Sequence, residues 1–309
     1  MKQIIILCLG ILLIGCNKNS SDAPILMIIP ECKGAPKYLI QAGFLPGKPF
    51  GFSIAERGVT GLALVQFPGP GVPHKQFVMP DWDKAGHLGG VITDKDGNSY
   101  VIPRPFINTL KNDPADQNTL FRVDSHTGTM NAYIKLPGEN LSDSGNPFGL
   151  MGIFLDCETE VIYTSSISGS TAIEEKGRVY ALSTGPDPEV FATLSGMDVM
   201  GLAVYYQLGH KYLLLGKART SDVYRIELNK KGGFIGEPEK VLSLELLGDR
   251  GDDKPRKIRF SNKGELMVSG INFNFNLANT PDKQENIYSF QFDQTTSEWK
   301  LAKIQRGIM

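Results

Sequence analysis

The sequence predicts an all-β protein, built as a β-propeller of four-stranded blades. Short β-rich runs are separated by Gly, Pro, Asn and Asp along the chain. No long amphipathic helical pattern interrupts them. A unit of roughly 45–60 residues repeats, which is typical of propellers and other repeat architectures. A lone four-stranded sheet cannot bury both of its faces, whereas sheets packed around a common axis can. Together these observations favour a propeller over a sandwich or a single barrel.

Each unit has the same order of segments. The first strand contains glycine or is apolar, and a turn joins it to a second apolar strand. A polar loop then leads to a third strand, which is centred on an aromatic residue. A fourth strand completes the unit. The first and third strands of the four clear units are Leu88–Ile92 with Leu120–Asp124, Gly149–Ile153 with Arg178–Leu182, Gly201–Val204 with Asp222–Ile226, and Lys257–Phe260 with Asn286–Phe290. We expect Phe121, Tyr180, Tyr224 and Tyr288 to occupy equivalent places in successive sheets. The innermost strands should favour glycine, because a missing side chain allows close approach at the axis.

A weaker copy of the unit covers residues 36–82. Its strands are predicted at Tyr38–Ile40, Phe50–Phe52 and Gly61–Leu64. The copy brings the expected number of blades to five. Six blades are the alternative, if the end segments 24–45 and 294–309 form more strands than this assignment gives them.

Two groups of motifs carry a family resemblance. Pro147–Leu150 is followed by Asp156 and Val161–Tyr163, and Met200–Ala203 is followed by Lys211–Leu214 and Val223–Ile226. At these strands the chain resembles the broad six-bladed superfamily that contains NHL-repeat proteins, strictosidine-synthase-like proteins and the senescence-marker/gluconolactonase family. The resemblance covers about residues 86–293. It implies the fold rather than an activity, because these motifs are mostly packing motifs.

The N-terminus has the order of an export signal. Lys2 precedes a nearly continuous apolar run, Ile4–Ile14, which is shorter than the roughly 20 residues that span a bilayer. The following Leu13–Cys16 resembles the lipobox of bacterial lipoproteins. This resemblance implies a cleaved signal peptide (1–15), fatty acylation such as palmitate at Cys16 and a lipidated tether (16–24). The repeated unit then predicts a single propeller domain over the rest of the chain (25–309). An ordinary secretory signal with an incidental cysteine is the alternative.

The location and the partners follow from these segments. Asn17 stands where an aspartate would indicate inner-membrane retention in some bacteria, so we expect a lipid-anchored envelope protein of the outer membrane. The formal net charge is −1, and nucleic acid is not an expected partner. We expect a monomer. After loss of Cys8 and acylation of Cys16, Cys32 and Cys157 remain; an exported location permits a disulfide between them, and two separate buried thiols are the alternative.

An axial metal site is the first candidate for chemistry. The gluconolactonase family binds one divalent metal in the channel through carboxylates and asparagines, one of them from a Pro-Asn-Gly run. The run Pro147–Gly149 has an apolar residue at the asparagine position, and the next blade has Met200 there, so the family's ligand set does not carry over. Residues that could still point into the channel, toward calcium or zinc, are Glu56, His87, Asn146 and Asp198. Ordinary turn capping is the alternative for each.

Asp94–Asn98 superficially resembles a calcium loop but lacks the later glutamate, so we predict a hairpin turn.

Two long polar loops are the second candidate. Pro103–Asn118 and Asn272–Glu285 both fall between the second and third strands of their blades and are far longer than a hairpin requires. They carry Arg104, Phe106 and Lys111 in the first loop, and Phe273, Phe275 and Asn276 in the second. Aromatics beside an arginine and amides can form a recognition surface. Tolerated insertion at loop tips is the alternative.

The favoured interpretation is a non-catalytic, membrane-anchored propeller that binds a protein or small-molecule ligand through one face. The sequence has no Gly-x-Ser-x-Gly elbow and no common phosphate-binding loop. The alternative is a metal-dependent, lactonase-like hydrolase with a rearranged ligand set of Glu56, Asn146 and Asp198. A purely structural envelope component is a third hypothesis.

Overall fold

The computed structural model describes residues 26–30, 32, 34–67, 69–70, 72–105, 108–138, 145–277 and 284–308. These residues form twenty β-strands, which are arranged in five antiparallel sheets, and two short 3₁₀ helices at Lys37–Leu39 and Pro114–Asp116. The all-β, five-bladed propeller is therefore confirmed. None of the helices in the described part of the chain is long and apolar enough to cross a membrane.

The strands follow chain order within each blade. A short strand β1 (Leu26–Ile28) precedes the blades. Blade 1 contains β2 (Phe50–Ser53), β3 (Ala63–Gln66) and β4 (Lys75–Phe77), and blade 2 contains β5 (Leu88–Thr93), β6 (Ser99–Pro103), β7 (Thr119–Val123) and β8 (Met130–Lys135). Blade 3 contains β9 (Leu150–Asp156), β10 (Val161–Ser166), β11 (Arg178–Ser183) and β12 (Val190–Ser195). Blade 4 contains β13 (Val199–Gln207), β14 (His210–Lys217), β15 (Asp222–Leu228) and β16 (Phe234–Ser243), and blade 5 contains β17 (Lys254–Phe260), β18 (Leu266–Ile271), β19 (Gln284–Asp293) and β20 (Glu298–Ile308).

The first strands of blades 2 to 5 pack against one another around the axis. Their glycines allow this approach: a Cβ atom built on Gly152 would lie 2.3 Å from the carbonyl oxygen of Met200, and one on Gly201 would lie 2.8 Å from Ile258 Cγ1. The predicted aromatic residues all lie in third strands, where each pairs with the second strand of its blade: Phe121, Tyr180, Tyr224 and Tyr288. Both expectations about the repeat are confirmed.

Blade 1 differs from the prediction, whereas the chain ends agree with the count of five blades. The predicted strand Tyr38–Ile40 is replaced by a 3₁₀ helix at Lys37–Leu39, and Tyr38 packs edge-on against Trp82 with ring centroids 6.1 Å apart. Blade 1 therefore has three strands. No sixth blade exists among the described residues, because β1 joins the sheet of blade 4 and β20 is the outer strand of blade 5.

Apolar clusters join successive blades. They lie between blades 1 and 2, 2 and 3, 3 and 4, and 4 and 5. Within the described residues, no such cluster joins blade 5 to blade 1. Within this part of the chain, no apolar cluster therefore covers the blade 5 face turned away from blade 4 or the blade 1 face turned away from blade 2.

The two ends of the propeller differ. We call the end with the turns between first and second strands the hairpin face, and the end with the loops between second and third strands the loop face. Asp94 organises one turn of the hairpin face: Asp94 Oδ1 accepts hydrogen bonds from the backbone of Asp96 and Asn98, both at 2.9 Å, and Oδ2 accepts from Tyr100 at 3.1 Å. The predicted hairpin turn is confirmed. The described parts of the long loops, 104–105 and 108–118 in blade 2 and 272–277 in blade 5, belong to the loop face.

An N-terminal strap, defined as residues 26–30, 32 and 34–37, crosses the hairpin face. Strand β1 pairs with the end of β13, from Leu26 opposite Gln207 to Ile28 opposite Tyr205. Cys32 then forms a disulfide with Cys157 in blade 3, with Cα atoms 5.6 Å apart. Further on, the backbone N–H of Gly34 donates to the carbonyl of Asp94 at 3.1 Å, and that of Lys37 donates to Ser125 at 2.7 Å. The strap thus passes over blades 4, 3 and 2 before the chain enters blade 1.

Candidate functional site

Three phenylalanines meet at the axial end of the loop face. Phe148 lies two residues before the first strand of blade 3, and Phe273 and Phe275 come from the long loop of blade 5. The ring centroids of Phe148 and Phe273 are 5.5 Å apart, and those of Phe273 and Phe275 are 5.4 Å apart. Phe148 is buried and the other two are partly buried. They rest on an apolar base of Met151, Ile167, Met200, Ala218 and Ile271.

Two arginines bracket these rings. The guanidinium carbon of Arg104 lies 6.0 Å from the ring centroid of Phe148, and that of Arg219 lies 4.7 Å from the ring centroid of Phe275. A guanidinium over an aromatic face is attracted by the ring quadrupole. We call these five residues the loop-face patch: Arg104, Phe148, Arg219, Phe273 and Phe275. Each arginine closely follows the second strand of its blade, so the propeller repeat itself brings them to the same end.

Arg219 also fastens the neighbouring loop of blade 3. Its Nη1 donates to the carbonyl of Ala172 at 3.1 Å, and its Nη2 donates to the carbonyls of Thr171 and Glu174. Its Nε donates to Asp198 Oδ2 at 2.6 Å. The arginine therefore connects the loops of three blades at one point.

Asp198 is enclosed by this arrangement. Its side chain has no exposed surface, and Ser170 Oγ donates to its Oδ1 at 2.5 Å. Burial raises the pKa of Asp198, while hydrogen bonds from Ser170 and Arg219 act in the opposite direction. The carboxylate is thus held by an internal ion pair beneath the patch.

The other predicted axial residues also have structural contacts. Asn146 is buried, accepts a hydrogen bond from the backbone of Phe148 at 3.0 Å and donates to the carbonyl of Ile167 at 2.8 Å. His87 is partly buried, and Asn112 bonds its backbone N–H and carbonyl at 3.2 and 2.9 Å. Glu56 lies between the first two strands of blade 1, 3.9 Å from His74. Among the described residues, no three His, Cys, Asp or Glu side chains are grouped so as to hold a metal ion.

The predicted loop residues fall into three groups. Arg104, Phe273 and Phe275 are brought together in the loop-face patch. Lys111 and Asn276 are exposed and do not belong to it. Phe106 lies outside the described residues, as does Cys16.

Sequence reasoning missed two members of the patch. Phe148 was considered only as the apolar replacement for a metal ligand, although an aromatic residue at the start of an inner strand is also a signal for an apolar axial surface. Arg219 follows the second strand of its blade, as Arg104 does. A comparison of equivalent positions in the repeated units would have identified Arg104 and Arg219 as residues at the same end of the propeller.

Comparisons with known proteins give only distant likenesses. No protein-family model matches the sequence, and no curated protein matches it. A glucose dehydrogenase structure is 16% identical, with 78% of this chain and 77% of that chain covered and a TM-score of 0.42. A family GH43 β-1,3-galactosidase with galactodeoxynojirimycin is 11% identical (84% and 91% covered, TM-score 0.46), and a putative 6-phosphogluconolactonase from Bacteroides uniformis is 13% identical (81% and 80% covered, TM-score 0.43). With TM-scores below 0.5, these likenesses carry no functional information about the chain.

Proposed function

We propose that this protein is a lipid-anchored propeller of the bacterial cell envelope that binds a ligand at its loop face. The observation that supports the proposal best is the loop-face patch. Two residues of one long loop and the first residue of the other meet there over a buried phenylalanine. Binding sites commonly combine aromatic anchors with a few directed polar groups, and arginine and aromatic residues are over-represented among residues that dominate binding energy.

The strap supports an orientation for this anchored protein. The proposed lipid-bearing residue, Cys16, precedes Leu26 by ten residues, which span at most about 36 Å when extended. Because Leu26 begins the strap on the hairpin face, the anchor would hold that face toward the bilayer. The loop face would then point away from the membrane and toward ligands.

Acylation of Cys16 is the first testable part of the proposal. We expect mass spectrometry of the mature protein to show a chain that begins at Cys16 and carries a thioether-linked diacylglycerol. The Cys16→Ala variant should lose both palmitate labelling and membrane association, since no other residue at the cleavage site offers a thiol. Cys8→Ala, which changes the other N-terminal cysteine, should keep both. An unmodified residue 16 would contradict the anchor.

Truncation of the patch phenylalanines is expected to weaken ligand binding. Compounds that raise the melting temperature of the wild type can be found in a thermal-shift screen of metabolites and glycans. For these compounds, Phe273→Ala and Phe275→Ala should each weaken binding about tenfold or more, since truncated aromatic anchors commonly cost 1–2 kcal/mol or more.

Phe191→Ala provides the matched control for the patch variants. This phenylalanine is 45% exposed and lies on the outer strand of blade 3, away from the loop face. Its variant should bind every compound as the wild type does. Ligands that bind the two patch variants and the wild type with equal affinity would contradict the proposed site.

A further inference from the structure

A cavity on the hairpin face lies between the strap and blade 2. Its volume is about 440 Å³, which is within the range of small-ligand sites. Three segments line most of it: the strap through Ala35 and Lys37, the turn 94–98 between β5 and β6, and the turn 124–129 between β7 and β8. None of these segments contributes to the loop-face patch, so the cavity is a separate candidate site.

Hydrogen bonds fix the three segments relative to one another. Asn98 is buried, and its Oδ1 accepts from the backbone N–H of Ser125 at 3.0 Å and from Arg122 Nη2 at 2.9 Å, which joins the two turns. The backbone N–H of Lys37 donates to the carbonyl of Ser125 at 2.7 Å. Lys37 Nζ lies 2.6 Å from His126 Nε2 and donates to it, because an ammonium group can only donate. The walls of the cavity are therefore formed before any ligand binds.

Three cationic side chains line the cavity: Lys37, Lys95 and Arg122. Lys95 already has a partner, since its Nζ lies 2.7 Å from Glu160 Oε1. Of the Arg122 nitrogens, only Nη2 donates a hydrogen bond within the described residues. Lys37 gives one donor of its ammonium group to the imidazole and keeps the others. Spare donors from a guanidinium and an ammonium group suit a phosphate, whose several oxygens can each accept.

Two carboxylates line the same cavity, those of Asp96 and Asp124. Asp124 Oδ2 lies 3.8 Å from Arg122 Nη2, so this ion pair is loose. Asp96 uses only its backbone N–H in the turn, and its carboxylate has no hydrogen bond or ion pair within the described part of the chain. The carboxylates would repel a lone phosphate, and the cations would repel a lone amine. A ligand that carries both charges matches both sets of side chains.

We propose that this cavity binds a small zwitterion in which a phosphate group is joined to a primary ammonium group. The phosphate lies against Lys37 and Arg122, and the ammonium group lies against Asp96 and Asp124. A free molecule such as O-phosphoethanolamine has this chemistry, and so has the headgroup of an ethanolamine phospholipid. The headgroup source rests on the proposed function, in which the hairpin face is turned toward the bilayer. Binding of the free molecule does not rest on it.

O-phosphoethanolamine tests the cavity by itself. The melting temperature of the full chain in neutral detergent is measured with about 10 mM of this compound, a concentration chosen to exceed the Kd of a weak small-molecule site. The reference is inorganic phosphate and ethanolamine together, each at the same concentration and at matched ionic strength. We expect the joined molecule to raise the wild-type melting temperature by about 3 °C more than the mixture does. The mixture also contains the general stabilisation that phosphate gives by exclusion from protein surfaces.

Matched double variants locate the effect. Lys37→Gln with Asp96→Asn removes one charge of each sign from the cavity, and the fold should be retained because both side chains are exposed. This protein should lose the extra rise. Lys230→Gln with Asp187→Asn makes the same change in two exposed turns of the hairpin face, in blades 4 and 3, and should keep it. An equal rise in all three proteins, or no rise in the wild type beyond that given by the mixture, would overturn the site.

Vesicles identify the source of the zwitterion. The full chain is reconstituted in phosphatidylcholine vesicles with or without added phosphatidylethanolamine. Choline has no N–H to donate to the carboxylates, so headgroup binding predicts a higher melting temperature only where phosphatidylethanolamine is present, and not in the Lys37 and Asp96 variant. Equal melting temperatures in the two kinds of vesicle would overturn the headgroup source, and a retained response to O-phosphoethanolamine would then support a soluble ligand. A residue 16 without lipid would contradict the proposed anchor and would leave the response to the free compound unchanged.

Discussion

Replacing Arg219 with alanine is expected to lower the free energy of unfolding by about 3–5 kcal/mol, because the change leaves a buried carboxylate without its charged partner. Asp198 has no exposed surface, and its Oδ2 lies 2.6 Å from Arg219 Nε. The variant also removes the donors to the carbonyls of Thr171, Ala172 and Glu174. Urea denaturation followed by circular dichroism measures the loss.

The pH dependence of this loss identifies its cause. The pKa of Asp198 is already raised in the folded protein by burial, so ionisation of this carboxyl group lowers the folding stability as the pH rises from the unfolded-state pKa through the raised one. Without Arg219 the pKa should rise further. The cost of Arg219→Ala is therefore expected to shrink as the pH is lowered from about 7.5, because protonation of Asp198 removes the buried charge that has lost its partner.

Two further variants complete the experiment. Arg219→Ala combined with Asp198→Asn should recover part of the lost stability, because no buried charge remains. Arg306→Ala removes an arginine of equal size whose ion pair with Asp249 is exposed, and it should change stability little. If Arg219→Ala proves no more costly than Arg306→Ala, the ion pair does not have the structural role assigned to it.

Removing the Cys32–Cys157 disulfide is expected to cost about 3–5 kcal/mol of unfolding free energy. The bond joins residues 125 positions apart, and cross-links that close long loops restrict the unfolded chain most. The closed loop contains blades 1 and 2 and the first strand of blade 3. The Cys32→Ser, Cys157→Ser double variant should therefore unfold at a clearly lower denaturant concentration with its β-sheet spectrum preserved.

The reductant supplies the control for the disulfide. Wild-type protein treated with dithiothreitol should reach the stability of the double variant, and the double variant itself should not respond to the reagent. Limited proteolysis should cut the strap more readily in both reduced and serine forms, because the strap loses its attachment to blade 3. A wild type whose denaturation midpoint is the same with and without reductant would show that the bond contributes nothing to stability.

Individual residues show how far the sequence could lead. The third-strand aromatics Tyr180 and Tyr288 were identified because strand alternation and the repeat are local patterns. Tyr38 was misassigned, because a short apolar run looks the same in a strand and in a helical turn. What distinguishes the two here is packing against Trp82, which lies far along the chain. The acylated Cys16 stays a prediction.

The candidate site was less predictable than the fold. Arg104 and Phe273 were identified as members of long loops, yet nothing in their own segments indicates that Phe148 lies between them. The sequence suggested Asp198 as a possible metal ligand. Its actual ion-pair partner, Arg219, stands 21 residues further on, and no local pattern connects the two residues.

The sequence by itself determined the repeated sheets, their Gly-containing inner strands and the position of the long loops, since each depends on spacings of a few residues. Only the tertiary structure decided that Cys32 bonds to Cys157, that Arg219 neutralises Asp198, and that residues from blades 2, 3, 4 and 5 meet in one patch. The physical reason is the arrangement of the blades around an axis. Residues distant in the chain become neighbours through the accumulated rotation of whole sheets, and no local pattern records that rotation.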